Sequence, residues 1–133
     1  MSVFVDASVF VAILTREDDA DTFLDKLDGL DDAITSPIAV FESVLAIARK
    51  RVSLLPEAWR DLTDFTTEAG IDVVGLNERD SEAAVEAFSR FGKGRHRAAL
   101  NMSDCFAYAC AKVRGVPLLC KGDDFIHTDI EIA

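Results

Sequence analysis

Short apolar runs alternate along the chain with longer segments whose apolar residues recur every three or four positions. "SVFVD" is such a run closed by an acid, and it reads as a buried strand. "DDADTFLDKLDGL" spaces Phe23, Leu24 and Leu27 for one helix face, with Gly29 suited to its stop. "DAITS" reads as a second strand. In "SPIAVFESVLAIARKR", Ser36 can cap a helix and Pro37 can take its first position. The stripe Ile38, Phe41, Val44, Leu45 and Ala48 is expected to be its buried face. Arg49, Lys50 and Arg51 suit the negative end of that helix dipole.

"LPEAWRDLTDFTTEAG" starts at Pro56, places Trp59, Leu62, Thr66 and Ala69 on one stripe, and stops at Gly70. "IDVVGL" is a third strand. "NERDSEAAVEAFSRFG" puts Ala84, Ala87, Phe88 and Phe91 on a stripe ahead of Gly92. "SDCFAYACAKVRG" is apolar almost all round, which predicts a deeply buried helix ending at Gly115. "VPLLC" is the next strand, and "DIEIA" suits a short edge strand. Strands alternating with helices predict an α/β sandwich with a mainly parallel sheet. Such folds collect ligands at the carboxyl ends of their strands. That rule singles out Asp6, which ends the first strand, and Asp123 and Asp124, which follow the fourth.

The length of 133 residues suits one domain over residues 1–133 with its own core. Three cysteines, Cys105, Cys110 and Cys120, form no C-x-x-C pair, so reduced thiols in a cytoplasmic protein are expected rather than a disulfide framework or zinc cage. The N-terminal "MSVFVDASVFVAIL" has no basic stretch and carries Asp6 within its apolar run, so it is neither a signal peptide nor a membrane span. A net charge of −10 argues against wholesale non-specific nucleic-acid binding. The charge is uneven, however. Residues 88–103 carry Arg90, Lys93, Arg95 and Arg97 with no acid, so one local segment could hold a polyanion or simply be a solvated loop.

Among the 24 acids, a few do not suit a surface role. Asp6 lies between Val5 and Ala7, where an unpaired carboxylate costs several kcal/mol or takes up a proton. It could also cap a following helix. Glu42 falls beside an apolar stripe, though a Glu early in a helix can simply favour its dipole. Asp104 opens the almost wholly apolar helix, as a cap or as a wall of a cleft. Carboxylates converging at strand ends and helix starts would be stable as anions only around a cation. Oxygen ligands without His or Cys favour Mg²⁺ or Mn²⁺ over zinc. Such a site can activate a water and neutralise phosphate charge during in-line displacement.

Taken together, "VDASVFVAIL", "FESVLAIARK", "GRHRAALNMSDCFAYACAK" and "PLLCKGDDFIHTDI" resemble the PIN-domain ribonucleases, specifically VapC-type toxins of toxin–antitoxin modules. The resemblance runs the full length and preserves the order of elements. It implies a PIN-like three-layer sandwich with a central, mainly parallel sheet flanked by helices. It implies an acidic pocket that binds Mg²⁺ or Mn²⁺ and hydrolyses RNA, tRNA or ribosomal RNA among its substrates, with a metal-activated water. Carried over by position, the metal-binding and catalytic acids are Asp6, Glu42, Asp104 of the "NxxDC" segment, and one acid of "GDDF". Many relatives space the last two acids one residue apart, whereas Asp123 and Asp124 are adjacent here. Asp124, directly before Phe125, is the favoured match. Ser8 corresponds to a Ser/Thr position that supports the metal site. Asn101 and the Arg95–His96–Arg97 run belong to a segment common in this subgroup, and Arg95 and Arg97 could draw the RNA backbone towards the pocket. The implied partners are a VapB-type antitoxin covering the pocket through a basic or aromatic tail and a second copy of the chain in a homodimer, with no membrane association.

Other readings make different predictions. A haloacid-dehalogenase-type phosphatase would carry a second acid two residues after its nucleophilic Asp, where this chain has Ser8. A receiver-like or purely binding α/β module would use the acids only as a regulatory site. A PIN fold without activity is disfavoured by the retained acids.

Overall fold

The computed structural model describes residues 2–133. Four strands form one sheet: β1 (Ser2–Val5), β2 (Asp32–Thr35), β3 (Ile71–Val73) and β4 (Leu118–Leu119). All pairings are parallel, and the spatial order is β3-β2-β1-β4. Val3 faces Ala33 on β2, while Phe4 and Val5 face Leu118 and Leu119 on β4. The chain walks outward from β1 to β2 to β3 and then returns to lay β4 on the other side of β1. The sheet therefore has its switch point between β1 and β4, where open α/β sheets form a ligand crevice.

Side chains alternate along β1 between two cores, as a strand buried on both faces requires. Val3 and Val5 enter one core with Val9, Phe10, Ile47 and Leu62. Phe4 enters the other with Cys110, Ala111 and Leu118. Each such side chain stabilises the fold by roughly 1.5–3 kcal/mol relative to exposure. The first core is closed by α1 (Ala7–Leu14), α2 (Ala20–Asp28), α3 (Pro37–Arg51) and α4 (Leu55–Ala69). The second is closed mainly by α5 (Glu78–Phe91) and α6 (Met102–Arg114). The α/β sandwich with a parallel sheet expected from the strand–helix alternation, in the three-layer form implied by the family resemblance, is the one observed.

The helix ends follow the sequence signals. Ser36 accepts a hydrogen bond from the Ala39 amide, with Pro37 at the first helical position of α3. Gly70 and Gly115 close α4 and α6 in the left-handed conformation that glycine adopts without a Cβ penalty. The buried faces differ in detail from the expected stripes. In α3 the buried residues are Ala39, Val40, Ser43, Val44, Ile47 and Ala48. Ile38, Phe41 and Leu45 instead turn outward, with Phe41 66% exposed. The small Ala39 and Ser43 face the interior, and α3 contacts α1, α4 and α6. In α4, Leu62 and Thr66 are buried, but Trp59 and Ala69 are exposed. In α5, Phe88 is partly exposed and its ring lies over Gly92. A Cβ at Gly92 would come within 2.4 Å of the Phe88 carbonyl oxygen, so only glycine fits there. "DIEIA" makes a single bridge, Leu118 to Ile132, rather than a strand.

Candidate active site

Asp6 follows the last residue of β1, and its backbone amide donates to the carbonyl of Leu119 at the end of β4 (2.9 Å). It is therefore held at the switch point. Its side chain caps α1: the Ser8 amide donates to Oδ2 at 3.1 Å and the Ser8 hydroxyl at 2.6 Å. Ser8 Oγ in turn accepts from the Lys121 amide at 2.9 Å. One serine thus fixes the Asp6 carboxylate and ties it to the loop after β4. Asp6 is 6% exposed. Burial raises its carboxyl above the ordinary range; the Ser8 hydrogen bonds oppose that, and the Glu42 charge adds to it.

Asp104 is the third residue of α6 and half of a capping box. Its Oδ2 accepts from the Asn101 amide (3.0 Å), and Asn101 Oδ1 accepts from the Asp104 amide (2.9 Å). Burial pushes its carboxyl up to about 6 despite the Asn101 hydrogen bond. The charges of Asp6, Glu42 and Asp124 add to that rise. Glu42 sits on the second turn of α3, and Asp124 opens a 3₁₀ turn at Asp124–His127.

These four carboxylates come from four separate segments and line one cavity of about 680 Å³. Ser8 and Asn101 line it too. Asp123 does not. Among the described residues, no group of three or more His, Cys, Asp or Glu is drawn together closely enough to hold a metal ion. The acids of the cavity nevertheless act on one another and on their surroundings. Their field reaches Cys120, whose thiol is pushed up to about 12 by burial and by the charges of Asp6, Asp104 and Asp124.

The pattern of apolar residues hid the cations of this cavity. Arg49, Lys50 and Lys121 line it, whereas Arg95 and Arg97 do not. Lys121 pairs with Glu17 at 2.5 Å and with Asp19 at 3.1 Å, and Lys50 pairs with Glu17 at 2.9 Å. Lys121 first, then Lys50, pull the Glu17 carboxyl down to about 2. Arg49 has no ion-pair partner among the described residues. In sequence, Arg49 and Lys50 read as dipole-complementing residues. The signal that could have placed them is Glu42: seven and eight residues are two helical turns, so all three share one side of α3.

The PIN domain family model matches residues 3–131. The chain belongs to the PIN-domain family. This PIN domain is 38% identical over 126 residues to ribonuclease VapC30 of Mycobacterium tuberculosis, covering 95% of this chain and 94% of that one. Among solved structures, it superposes on Mycobacterium tuberculosis VapC20, described as a sarcin-ricin loop cleaving toxin, with a TM-score of 0.79 at 18% identity, covering 98% of both chains. It also superposes on a toxin–antitoxin complex from Klebsiella pneumoniae with a TM-score of 0.71 at 14% identity, covering 98% of this chain and 96% of that one. No described helix is long and apolar enough to cross a membrane.

Proposed function

We propose that this PIN domain is the toxin of a type II toxin–antitoxin system, acting in the cytoplasm as a divalent-metal-dependent endoribonuclease. Asp6, Glu42, Asp104 and Asp124 are its metal-binding and catalytic carboxylates. One observation carries the reading: four acids brought from four segments into one cavity, with the Asp104 carboxyl raised to about 6 by burial and by the other three. Such an arrangement destabilises the ionised protein unless a cation is shared. The donor set is all oxygen, with neither His96 nor His127 lining the cavity, and it fits Mg²⁺ or Mn²⁺. A bound divalent ion would neutralise phosphate charge and lower the pKa of a water.

The protein's own residues do the positioning. Ser8 holds one Asp6 oxygen and leaves the other free to ligate. The capping box fixes Asp104 on the first turn of α6. Glu42 and Asp124 stand on elements separate from both. In hydrolysis, water oxygen bonds to phosphorus as the bond to the 3′ oxygen breaks, leaving a 3′-hydroxyl and a 5′-phosphate. Arg49 on the same wall is available to a scissile or neighbouring phosphate. By likeness to a relative named as a ribonuclease and a neighbour described as cleaving the sarcin-ricin loop, the substrate is RNA, with tRNA or ribosomal RNA as the targets that the family resemblance implies.

The partner reading follows from the surface beside the acids. An apolar groove of about 740 Å³ runs between α3 and α4, lined by Val40, Val44, Leu55 and Trp59 among others. It meets the acidic cavity at Phe41 and Leu45, which line both. A VapB-type antitoxin segment with an aromatic anchor and a basic side chain would fill the groove and reach the carboxylates. Homodimerisation belongs to the same proposal and is read by light scattering on the free toxin.

The deciding experiment incubates antitoxin-free protein with total RNA in Mg²⁺, Mn²⁺ or EDTA, with Asp6→Ala and Asp104→Ala in parallel. Cleavage restricted to the metal-supplemented wild type is expected. Intact RNA under every condition favours a binding module. Full activity in both variants, or in EDTA, overturns the four-acid mechanism.

A further inference from the structure

Residues 92–101 join α5 to α6, and their 93–97 portion is cationic and does not line the acidic cavity. Lys93, Arg95 and Arg97 are all exposed. None has an ion-pair partner among the described residues, although the protein carries 24 acids against 14 bases. Lys50, Arg51, Arg90, Lys112, Arg114 and Lys121 are paired, and the other cations without an ion pair among the described residues, Arg16, Lys26, Arg49, Arg60 and Arg79, are scattered along the sequence rather than clustered. In a chain this acidic, three unpaired cations within five residues form a local exception to the field that repels polyanions.

The segment is also built rather than loose. The Lys93 backbone amide donates to the Leu100 carbonyl and the Leu100 amide to the Phe91 carbonyl, closing the loop at its base (2.9 and 3.0 Å). The Arg95 and His96 amides both donate to the Gly92 carbonyl (2.9 and 3.1 Å). The His96 ring packs edge-on against Phe91, and its Nδ1 accepts from the Ala98 amide at 3.0 Å. The Arg95 guanidinium lies 5.6 Å above the Phe88 ring. None of these contacts neutralises a cation. The loop base at Leu100 adjoins Asn101, which lines the acidic cavity and caps the helix carrying Asp104. Residues 93–97 thus lie four to eight residues from Asn101 at the cavity rim, a span of at most roughly 13–29 Å even if fully extended.

We propose that the 93–97 loop is a second RNA-contacting site, which grips backbone phosphates outside the acidic cavity and anchors the strand whose scissile bond enters it. This rests on the ribonuclease reading above. The carboxylates of the cavity oppose phosphate entry until they are neutralised, and Arg49 is the one cation of its wall without an ion pair among the described residues, so further cations outside the cavity would add affinity for RNA. Lys93, Arg95 and Arg97 supply it in sequence-independent form.

The test is fluorescence anisotropy of the full chain with a short labelled single-stranded RNA in EDTA, which stops cleavage, titrated with KCl. The loop triple variant Lys93→Gln, Arg95→Gln, Arg97→Gln is compared with a charge-matched control, Lys26→Gln, Arg60→Gln, Arg79→Gln, whose three residues are exposed and distant in sequence. The log–log salt slope is expected to fall by up to about 2 in the loop variant, at about 0.7 per lost single-strand contact. Its Kd at low salt should rise about tenfold or more. The control should change little, and Arg95→Lys with Arg97→Lys should retain the wild-type slope. Thermal melts verify that each variant is folded. Equal effects of the two triple variants, or an unchanged slope in the loop variant, overturn the proposal. Cleavage kinetics separate this from the ribonuclease reading. An active loop variant with unchanged KM overturns the anchor and leaves the nuclease standing. Wild-type RNA binding that needs the loop but is never followed by cleavage supports the anchor and removes the nuclease.

Discussion

Asp80 and Asp104 occupy the same place in the same local motif, yet their surroundings are opposite. Each is the third helical residue of an Asn-x-x-Asp capping box, Asp80 accepting from the Asn77 amide and Asp104 from the Asn101 amide, both at 3.0 Å. Asp80 is fully buried and meets Arg114 at 2.6 Å, and that hydrogen bond holds its carboxyl below the ordinary range. Asp104 has no cation beside it, faces three other acids, and is raised to about 6. One motif thus yields a structural acid at α5 and a site acid at α6, and the tertiary partner decides which.

Asp104→Asn is expected to stabilise the metal-free protein. Asp104 ionises at about 6 in the folded state against 3.8 ordinarily, so the folded state holds its proton more tightly. Stability contributed by this group therefore falls as pH rises from about 4 to about 6, and above that range the whole penalty is present. The raised value corresponds to at most roughly 3 kcal/mol. Partial exposure reduces the expected gain to about 1–2 kcal/mol. Asn keeps an oxygen for the Asn101 amide. Urea melts in EDTA should show the variant ahead of wild type at pH 8, with the difference gone near pH 3.5. A variant less stable than wild type at pH 8 contradicts the electrostatic account.

Arg114→Ala is expected to cost about 3–5 kcal/mol, because it leaves the Asp80 charge buried without its counter-ion. Arg114 also donates to the Gly75 carbonyl at 3.1 Å, so the loss reaches the segment before α5. Asp80→Asn should be milder, since it keeps the cap and removes the charge. The check is the denaturation midpoint at pH 7. Similar small changes in both variants would show that the pair contributes little.

The order of elements was legible because strand and helix periods differ and the capping residues stand where helices begin. Asp6 and Asp104 were legible as acids in apolar surroundings. Which side of α3 is buried was not. Ala39 and Ser43 carry little hydrophobic signal, yet they form the inward face, while the larger Ile38, Phe41 and Leu45 border the cavity and groove. Asp80 was hidden among surface-like charges on α5, because its partner Arg114 lies 34 residues away. Lys121 was hidden in the same way: its amide reaches Ser8 across 113 residues of sequence. Long-range pairings of this kind leave no periodic trace.

Ser8→Ala should weaken the site without unfolding the protein. The hydroxyl gives Asp6 its shorter hydrogen bond and receives the Lys121 amide, so its loss frees the carboxylate to rotate and leaves that amide unpaired. Divalent-ion affinity, read as the ion concentration that half-raises Tm, is expected to weaken about 10–100-fold, as for other residues that orient metal ligands. Ser8→Thr should restore most of it. Unchanged metal dependence in Ser8→Ala would remove Ser8 from the site.

Asp123 and Asp124 separate cleanly by substitution. Both are exposed, and they are chemically identical, but only Asp124 lines the cavity and contributes to raising Asp104. Asp123 precedes the 3₁₀ turn and makes no side-chain capping bond. Asp124→Asn is therefore expected to lower RNA cleavage by about 100-fold, the scale of a lost charge-stabilising group. It should also reduce the stabilisation by Mn²⁺ and lower the Asp104 pKa, followed by NMR of the carboxyl carbons. Asp123→Asn should leave all three readouts at wild-type values. Loss of cleavage in Asp123→Asn with retention in Asp124→Asn would exchange their roles. It would also mean that the loop after β4 turns the other way when RNA is bound.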